Sequence, residues 1–599
     1  MADGIDLRRP GVLRWPIARE AIVQGWLPAT RIDAGDAPKR SLTGSDQVRK
    51  TQRRAALHVL IVSALSVGGA AIAGQAQASC SGAASQNLGE GSYGYTWSIC
   101  NGAAGTDCSG EKDGAWGDNI TITSEGTYAT SAGSPPYSQP GGVVGGVIML
   151  YSRGGDGVDE GNAGGGGSID LTTHNSITVN GTGNSGYLGS MISAYSWGGN
   201  GDSDNDNNDS DGGDGGAGSA INVTNYGTMT IDGTVSPLSG GMYGIIAVSG
   251  GGTGGEQNNS VSGLGDQVGG DGGSSGSVTV TNAGTISIGS TSSRMQGNAA
   301  GAGIYADSGG GGGGVHNGGA GNGGSVTVQN SGQINNVWNG QGSGEIYGIH
   351  ARSIGGIGTQ SIDNSDDGGR GGDGSTVTVT SSGGILLDVT GNFTGSGAGI
   401  AAVSQGEDGG EGPSEDHSAG NGGTGKAVSV TLQGPSGNVT TNGANLYGIL
   451  AESLGGQGGD GGDSTALAGT GGGGGFGGDG GTVNVTTDAG TFITTSGEYA
   501  AGIAAMSLGG GGGTGSDFNS ILGGSGGNGG NGGNSGAVTV DNGAEIRTGG
   551  DYAYGILGQS TAGSGGTGGV GNGFIVELGG DGGAGGTTNT VDIDNSGTI

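Results

Sequence analysis

Aromatic and basic residues are scarce in this chain of 599 residues. Aromatic side chains make up only 4% of it, whereas 160 residues are glycine, which excludes an ordinary globular core. Most of the 18 lysines and arginines lie in residues 1–56, and the formal net charge of the whole chain is −34. An acidic surface repels phosphate backbones, so the sequence predicts no nucleic-acid binding.

Cysteine is also rare, and this bears on the compartment. The three cysteines are Cys80, Cys100 and Cys108, a low number that suits a large exported bacterial surface protein. Cys100 and Cys108 are close enough in sequence for a small-loop disulfide in an oxidising compartment. The alternative is a pair of free thiols in a poorly ordered segment.

Motifs for catalysis are missing. The five histidines do not cluster, and no H-E-x-x-H, paired C-x-x-C or P-loop pattern occurs. Residues 272–276 match G-x-S-x-G, but such a match is expected by chance in a chain this rich in glycine and serine, and the strand, elbow and helix of a hydrolase are absent from the pattern. The sequence therefore predicts no enzyme, with no catalytic, cofactor-binding or metal-binding residues.

Two acidic stretches are candidate calcium sites. Residues 202–211 space their carboxylates two apart, but they lack the glycine at the sixth position and the closing glutamate of an EF-hand loop. Residues 455–463 are similar to calcium-binding glycine-aspartate nonapeptides, without a strict nine-residue period. These stretches are predicted to be solvated acidic loops, and weak calcium binding at acidic glycine-rich loops is the alternative.

The N-terminal part carries a targeting signal. Residues 1–47 show no periodicity and are predicted to be an unstructured extension, with translation hypothesised to start near Val48. Residues 48–78 combine a basic start, a short apolar run and the small-x-small cleavage site Ala76-Gln77-Ala78, which together indicate a secretory signal peptide. A transmembrane helix is disfavoured because the apolar run is short and contains glycines. The sequence thus predicts export.

One seven-residue stretch, Tyr347 to Ser353, recurs roughly every 50 residues, a period typical of solenoids. Its template is Gly-Ile-x-Ala-x-Ser, in which fixed and variable positions alternate as on the two faces of a strand. Stacking should bury the isoleucines, alanines and serines as three columns. The clearer copies start at Tyr243, Ala302, Tyr347, Ala398, Tyr447, Ala501 and Tyr554.

Two further strands precede each copy. In one repeat they are Ser277–Thr281 and Thr285–Ile288, joined by a turn containing Asn282 and Gly284. Three short strands per repeat predict an all-β fold, a right-handed parallel β-helix solenoid with long glycine-rich loops. Residues 119–599 would make about nine coils, preceded by a cap segment at 79–118.

The glycine-rich loops and the last residues of the chain each carry a prediction. Runs such as 471–481 and 523–533 cannot bury apolar surface, so disorder is the expectation, with packed polyproline-II-like strands as the alternative. The last residues enter a new repeat and stop inside its second strand, which is expected of a fragment of a longer protein.

A signal peptide followed by these repeats resembles the passenger region of a bacterial autotransporter, the type V secretion family. The resemblance covers roughly residues 50–599 and rests on the Val-Thr-Val-x-Asn-x-Gly-x-Ile and Tyr-Gly-Ile-x-Ala-x-Ser patterns. It implies a β-helical passenger exported through a C-terminal outer-membrane β-barrel, although no such segment is recognisable in this sequence. It further implies an adhesin or surface stalk at the outer membrane surface or outside the cell, with a host or neighbouring-cell surface or its glycans as partner.

Two other functions are alternatives. A β-helix enzyme acting on polysaccharides would need basic and acidic side chains on one outer face, and Arg352, Asp307 and Glu452 are the candidates on the repeated strand. Asp307 and Arg352 lie in the same outward column on adjacent coils, where they could form an exposed pair, and such a pair contributes little to stability. The other alternative is a glycine-rich secreted matrix protein that depends on calcium.

Overall fold

A computed structural model describes residues 84–88, 96–101 and 117–599, except for 118, 125–126, 132–145, 159–160, 182–188, 204–211, 234–240, 257–268, 299, 362–366, 414–416, 467 and 574–576. The chain divides into two units, Met1–Val67 and Gly68–Ile599, and every described residue lies in the second. The described part has strands and no helix, so no helix long and apolar enough to cross a bilayer occurs in it.

The strands, numbered in chain order, form three long sheets in which neighbours run parallel, which confirms the predicted all-β solenoid. Sheet 1 contains β1 (Ala84–Leu88), β3 (Ile120–Ser124), β6 (Ile169–Thr173), β9 (Ile221–Asn225), β12 (Val278–Asn282), β16 (Val326–Asn330), β19 (Val377–Ser381), β22 (Val428–Leu432), β27 (Val483–Thr487), β32 (Val538–Asn542) and β37 (Val591–Asn595). Sheet 2 contains β4 (Thr127–Ser131), β7 (Ser176–Gly181), β10 (Met229–Gly233), β13 (Ile286–Ile288), β14 (Met295–Asn298), β17 (Ile334–Gly342), β20 (Ile385–Phe393), β23 (Val439–Asn442), β28 (Phe492–Thr495) and β33 (Glu545–Thr548).

Sheet 3 is built from the Gly-Ile-x-Ala-x-Ser strands. It contains β2 (Thr96–Asn101), β5 (Gly146–Arg153), β8 (Ser190–Trp197), β11 (Met242–Gly250), β15 (Gly301–Gly309), β18 (Glu345–Ile354), β21 (Ser396–Gln405), β24 (Leu446–Leu454), β29 (Ile503–Leu508) and β34 (Ile556–Thr561). Because the chain visits sheets 1, 2 and 3 in turn, each repeat is one coil of a parallel β-helix.

Two small sheets complete the described strands, and the sequence analysis did not predict them. Sheet 4 contains β25 (Ser464–Ala466), β30 (Phe518–Ser520) and β35 (Gly571–Gly573), and sheet 5 contains β26 (Gly469–Thr470), β31 (Gly524–Ser525) and β36 (Glu577–Leu578). Both lie at the far ends of glycine-rich runs. The segment expected to be a cap supplies β1 and β2, which pair in parallel with β3 and β5.

The core is made of columns of like side chains, as the repeat pattern predicts. In sheet 3 the isoleucines from Ile245 to Ile503 and the alanines from Ala247 to Ala505 are fully buried on successive coils. Valines of sheet 1, such as Val278 and Val280, face them. Stacking coils therefore buries a continuous apolar interior that no single coil encloses.

The serine column closes the base of each glycine-rich loop. Ser507 is buried; its Oγ donates to the carbonyl of Gly481 at 2.8 Å and accepts the N–H of Gly536 at 2.7 Å. Gly481 and Gly536 end the glycine-rich runs that lead into consecutive strands of sheet 1. The burial predicted for the serine column is therefore observed at Ser507, and its hydroxyl joins two coils.

A buried asparagine ladder lies at the end of the sheet 1 strands. Asn225 Nδ2 donates to Asn282 Oδ1 at 2.7 Å, and Asn282 Nδ2 donates to Asn330 Oδ1 at 2.8 Å. The same amide of Asn282 also donates to the carbonyl of Gly284 at 2.9 Å. The sequence analysis assigned Asn282 to a turn. In the structure its side chain also satisfies buried polar groups of the neighbouring coils.

The glycine-rich runs are ordered where the structure describes them, so the expectation of disorder was wrong there. Each coil has an outgoing run after sheet 3 and a return run before sheet 1. Gly510 donates to the carbonyl of Gly478 at 2.8 Å, and Gly513 donates to that of Gly475 at 2.9 Å. This bonding repeats every three residues, which is the period of a polyproline-II strand. The packed-strand alternative is therefore the one the structure shows.

Close approach explains the glycines of these runs. A Cβ placed on Gly530 would lie 1.8 Å from the carbonyl oxygen of Gly475 in the preceding coil. At Gly511, the third position of its triplet, the nearest atom would be 3.6 Å away. Two positions of three therefore exclude any side chain and the third points outward, which accounts for the Gly-Gly-Asn triplets of residues 526–534.

Candidate functional site

The outer face of sheet 3 holds the three ionisable side chains that the sequence analysis named for an enzyme. Register places Asp307 of β15 opposite Arg352 of β18. Arg352 donates from Nε to Asp307 Oδ1 at 3.1 Å and from Nη2 to Oδ2 at 2.8 Å, a bidentate pair. The two side chains retain 33% and 12% of their exposure, so the pair is partly buried, not exposed as predicted.

Aromatic rings surround this ion pair. Arg352 Nη2 also donates to Tyr305 Oη at 3.1 Å, and Tyr305 Oη donates to Asp307 Oδ2 at 3.2 Å. The ring of Tyr305 meets that of His350 edge to face at 5.3 Å, and His350 packs against Tyr347 at 4.1 Å. Sequence analysis missed that Tyr305 bridges the pair. Its role depends on Asp307, two positions along the same strand, and on Arg352, in the next coil.

Burial and charge set the protonation states of this face. Burial alone would raise the pKa of Asp307, but the guanidinium of Arg352 outweighs it and holds that pKa below its usual value. Burial lowers the pKa of His350 to about 3, with Arg352 adding to the effect, so the imidazole stays neutral. Burial raises the pKa of Glu452 to about 7, and its Oε2 has no hydrogen-bond partner among the described residues.

The three residues of the enzyme hypothesis share one face without converging. Asp307 and Arg352 are in contact, but Glu452 stands opposite Val403, which stands opposite Arg352. Two strand spacings put Glu452 roughly 9–10 Å from Arg352. A general base must lie within hydrogen-bonding reach of the proton it removes. This arrangement can bind and orient a polar group, and within the described residues the charge of Arg352 is already matched by Asp307.

The acidic residues of the glycine-rich runs have a structural role. Asp460 Oδ1 accepts the N–H of Thr514 at 2.8 Å, and Asp479 Oδ1 accepts that of Asn534 at 2.6 Å. Asn534 Oδ1 in turn accepts the N–H of Thr587 at 2.8 Å. Each outward Asp or Asn thus satisfies a backbone donor of the next coil. The described residues contain no group of three side chains placed to ligate a metal ion.

The remaining predicted residues fall in different places. Ser274 of the G-x-S-x-G match lies in a glycine-rich return run, where its Oγ accepts the N–H of Asn322 at 3.1 Å. Cys100 lies in β2 opposite Ser152 of β5. Cys108, Ala76 and Ala78 lie outside the described residues, as does most of the acidic stretch 202–211, so the disulfide and the cleavage site stay predictions.

Stacked aromatic pairs were also missed by sequence analysis. His174 and Tyr226 stack with ring centroids 4.7 Å apart and 9° between their planes. Tyr499 and Tyr552 stack at 5.1 Å and 6°. The members of each pair are more than 50 residues apart in sequence, one repeat, so only a correct alignment of the coils would have placed them together.

Comparison with known proteins adds no family to this description, since the chain matches neither a protein-family model nor a curated protein.

Proposed function

We propose that the chain is a non-enzymatic exported surface protein, the passenger of an autotransporter, that acts as an adhesin or a surface stalk. The observation that carries the proposal is the parallel β-helix itself, in which repeats with fixed inward columns stack into one continuous core. A solenoid of this kind grows along one axis and presents variable outward side chains on every coil. The signal-peptide pattern of residues 48–78 supports export to the outer surface.

Export is tested by producing the full chain in a Gram-negative host and sequencing the N-terminus of the product outside the cytoplasm. The expected product begins at Ser79, after the Ala76-Gln77-Ala78 site. A charged side chain at the cleavage site, Ala78→Arg, should leave the precursor unprocessed. A chain that stays in the cytoplasm at full length would contradict the export step.

Adhesion is tested by coating beads with the exported chain and counting beads bound to bacterial and host cells. Binding above that of beads coated with a non-adhesive protein is the expected result. If coated beads bind no cell type while the chain is folded by circular dichroism, the adhesin proposal fails and a stalk role remains.

A second candidate, an enzyme acting on polysaccharides, is favoured by the polar cluster around Asp307 and Arg352 on one face of sheet 3. Depolymerisation assays on acidic and neutral glycans distinguish the two. Turnover that disappears in Asp307→Asn or Arg352→Lys would replace the adhesin proposal with the enzyme. A third candidate, a calcium-dependent matrix protein, requires that calcium induce folding, which circular dichroism with and without a chelator measures.

A further inference from the structure

An open aromatic platform lies on the turn between sheets 1 and 2. The ring of Tyr226 keeps 52% of its exposure although coils lie on both sides of it. One face of the ring is covered by His174 of the preceding coil at 4.7 Å, with the planes 9° apart. The stack holds the phenol flat, so its other face is presented in one orientation.

Hydrogen bonds between coils hold the backbone beneath the platform. Tyr226 donates its N–H to the carbonyl of Thr173 at 2.8 Å, and Ala283 donates in the same way to Asn225 at 2.8 Å. The buried ladder from Asn225 to Asn282 locks the two turns together. A recognition group on a fixed element loses little conformational freedom when a ligand binds.

The following coils leave the free face of the ring open. In the next three coils the positions equivalent to Tyr226 are Ala283, Ser331 and Ser382, identified by their matching backbone bonds to the coil before. Small side chains on three successive coils form a shelf beside the ring. They also show that the fold needs no aromatic residue at this turn, so stacking is not a requirement of the solenoid.

We propose that Tyr226, backed by His174, is a binding subsite for a sugar ring of an uncharged polysaccharide, whose chain continues along the shelf of Ala283, Ser331 and Ser382. The flat apolar face of a pyranose packs on the flat face of a phenol, and the sugar hydroxyls are matched by Tyr Oη and serine hydroxyls. The inference rests on the proposed adhesin function and names the class of its partner.

The charge pattern selects a neutral ligand. The chain carries a formal charge of −34, which repels sulfated or uronic-acid polymers. A cation over one exposed ring face gains only a little binding energy, unless further ring faces or a nearby carboxylate add to it. The platform offers one free ring face, and none of its turn positions from His174 to Ser382 in the described coils is acidic. A neutral sugar has the flat face and the hydroxyls that this surface matches.

The test uses the full exported chain and measures its retention in affinity electrophoresis through gels containing a β-glucan, a xylan, a mannan, heparin or alginate. Binding to at least one neutral polymer and to neither polyanion is expected. Tyr226→Ser, which reproduces Ser331, should weaken binding about fivefold to tenfold, and Tyr226→Phe should stay within about twofold. The matched control is Phe476→Ser, which removes an equally exposed ring, at 52%, from a glycine-rich run.

The outcomes separate this inference from the proposed function. Circular dichroism and thermal midpoints near those of the wild type establish that Tyr226→Ser still folds, and Tyr226→Phe provides a second, milder variant. No binding to any neutral polymer, or equal weakening by Tyr226→Ser and Phe476→Ser, overturns the subsite. If coated beads adhere to cells and Tyr226→Ser does not change their adhesion, the adhesin proposal stands with a different ligand surface. If beads coated with the wild-type chain adhere to no cell type, both the adhesin proposal and the subsite that rests on it fail.

Discussion

The ordered packing of the glycine-rich runs gives the sharpest prediction, the substitution Gly530→Ala. A Cβ there would lie 1.8 Å from the carbonyl oxygen of Gly475, so the backbone of one coil must move. Gly530 donates to the carbonyl of Gly513 at 2.8 Å and accepts the N–H of Gly566 at 2.8 Å, so the movement weakens bonds on both sides. Overpacking typically costs about 1–3 kcal/mol.

Each weakened hydrogen bond adds about 0.5–1.5 kcal/mol, and the smaller entropy of the unfolded alanine chain returns up to about 1 kcal/mol. Together these contributions span about 1–6 kcal/mol, and because the two hydrogen bonds are weakened and not lost, we expect a local loss of stability of about 2–4 kcal/mol. Because repeat proteins open in parts, global unfolding would blur this effect. Hydrogen exchange by mass spectrometry of peptides covering residues 526–536 should instead show protection lowered about 30- to 700-fold.

The control for this prediction is Gly511→Ala in the outgoing run of the same coil. Its Cβ would be 3.6 Å from the nearest atom, so we expect unchanged protection or a gain of up to about 1 kcal/mol. If Gly530→Ala leaves exchange unchanged, or if Gly511→Ala lowers protection equally, the close-packing argument is refuted.

Three further predictions concern buried polar groups. Asn330→Ala interrupts the asparagine ladder and should lower the local stability, measured by hydrogen exchange of peptides covering Val326–Asn330, by about 1–3 kcal/mol. Asn330→Ser, which copies Ser381, should cost less, and equal losses would contradict the ladder's role. Burial raises the pKa of Glu452 from 4.5 to about 7, so its stabilisation is complete below about pH 4.5 and is lost as pH rises through 7. Glu452→Gln should remove that pH dependence, which is worth up to about 3 kcal/mol, from the local stability of peptides covering Leu446–Leu454, measured by hydrogen exchange between pH 4.5 and 8. A persistent slope would exclude Glu452 as its source. A double-mutant cycle of Asp307→Asn and Arg352→Ala should give a coupling energy of about 1–2 kcal/mol, because the pair is bidentate and partly buried. A coupling energy near zero would mean that the pair contributes no more than an exposed surface pair.

The polar cluster on sheet 3 illustrates how structure changed an interpretation made from spacing. Sequence placed Asp307 and Arg352 in one column correctly, because strand register follows directly from the repeat. It could not give their burial, since that depends on Tyr305 and His350 packing around them. The same aromatic environment keeps His350 neutral and leaves a partly buried ion pair where an exposed one was expected.

The sequence by itself determined the class of fold and the inward columns. Alternation within Gly-Ile-x-Ala-x-Ser fixes which side chains face the interior, and its recurrence fixes that like residues stack. These are local properties with period two, and a parallel sheet preserves them from coil to coil.

Only the tertiary structure decided what the glycines, asparagines and exposed aromatics do. The contact that makes Gly530 necessary comes from Gly475, and the ring that backs Tyr226 comes from His174, each about one repeat away in the chain. Composition suggested disorder for the runs because glycine buries no apolar surface. Backbone hydrogen bonds between coils order them instead, and those bonds exist only once the coils are in register.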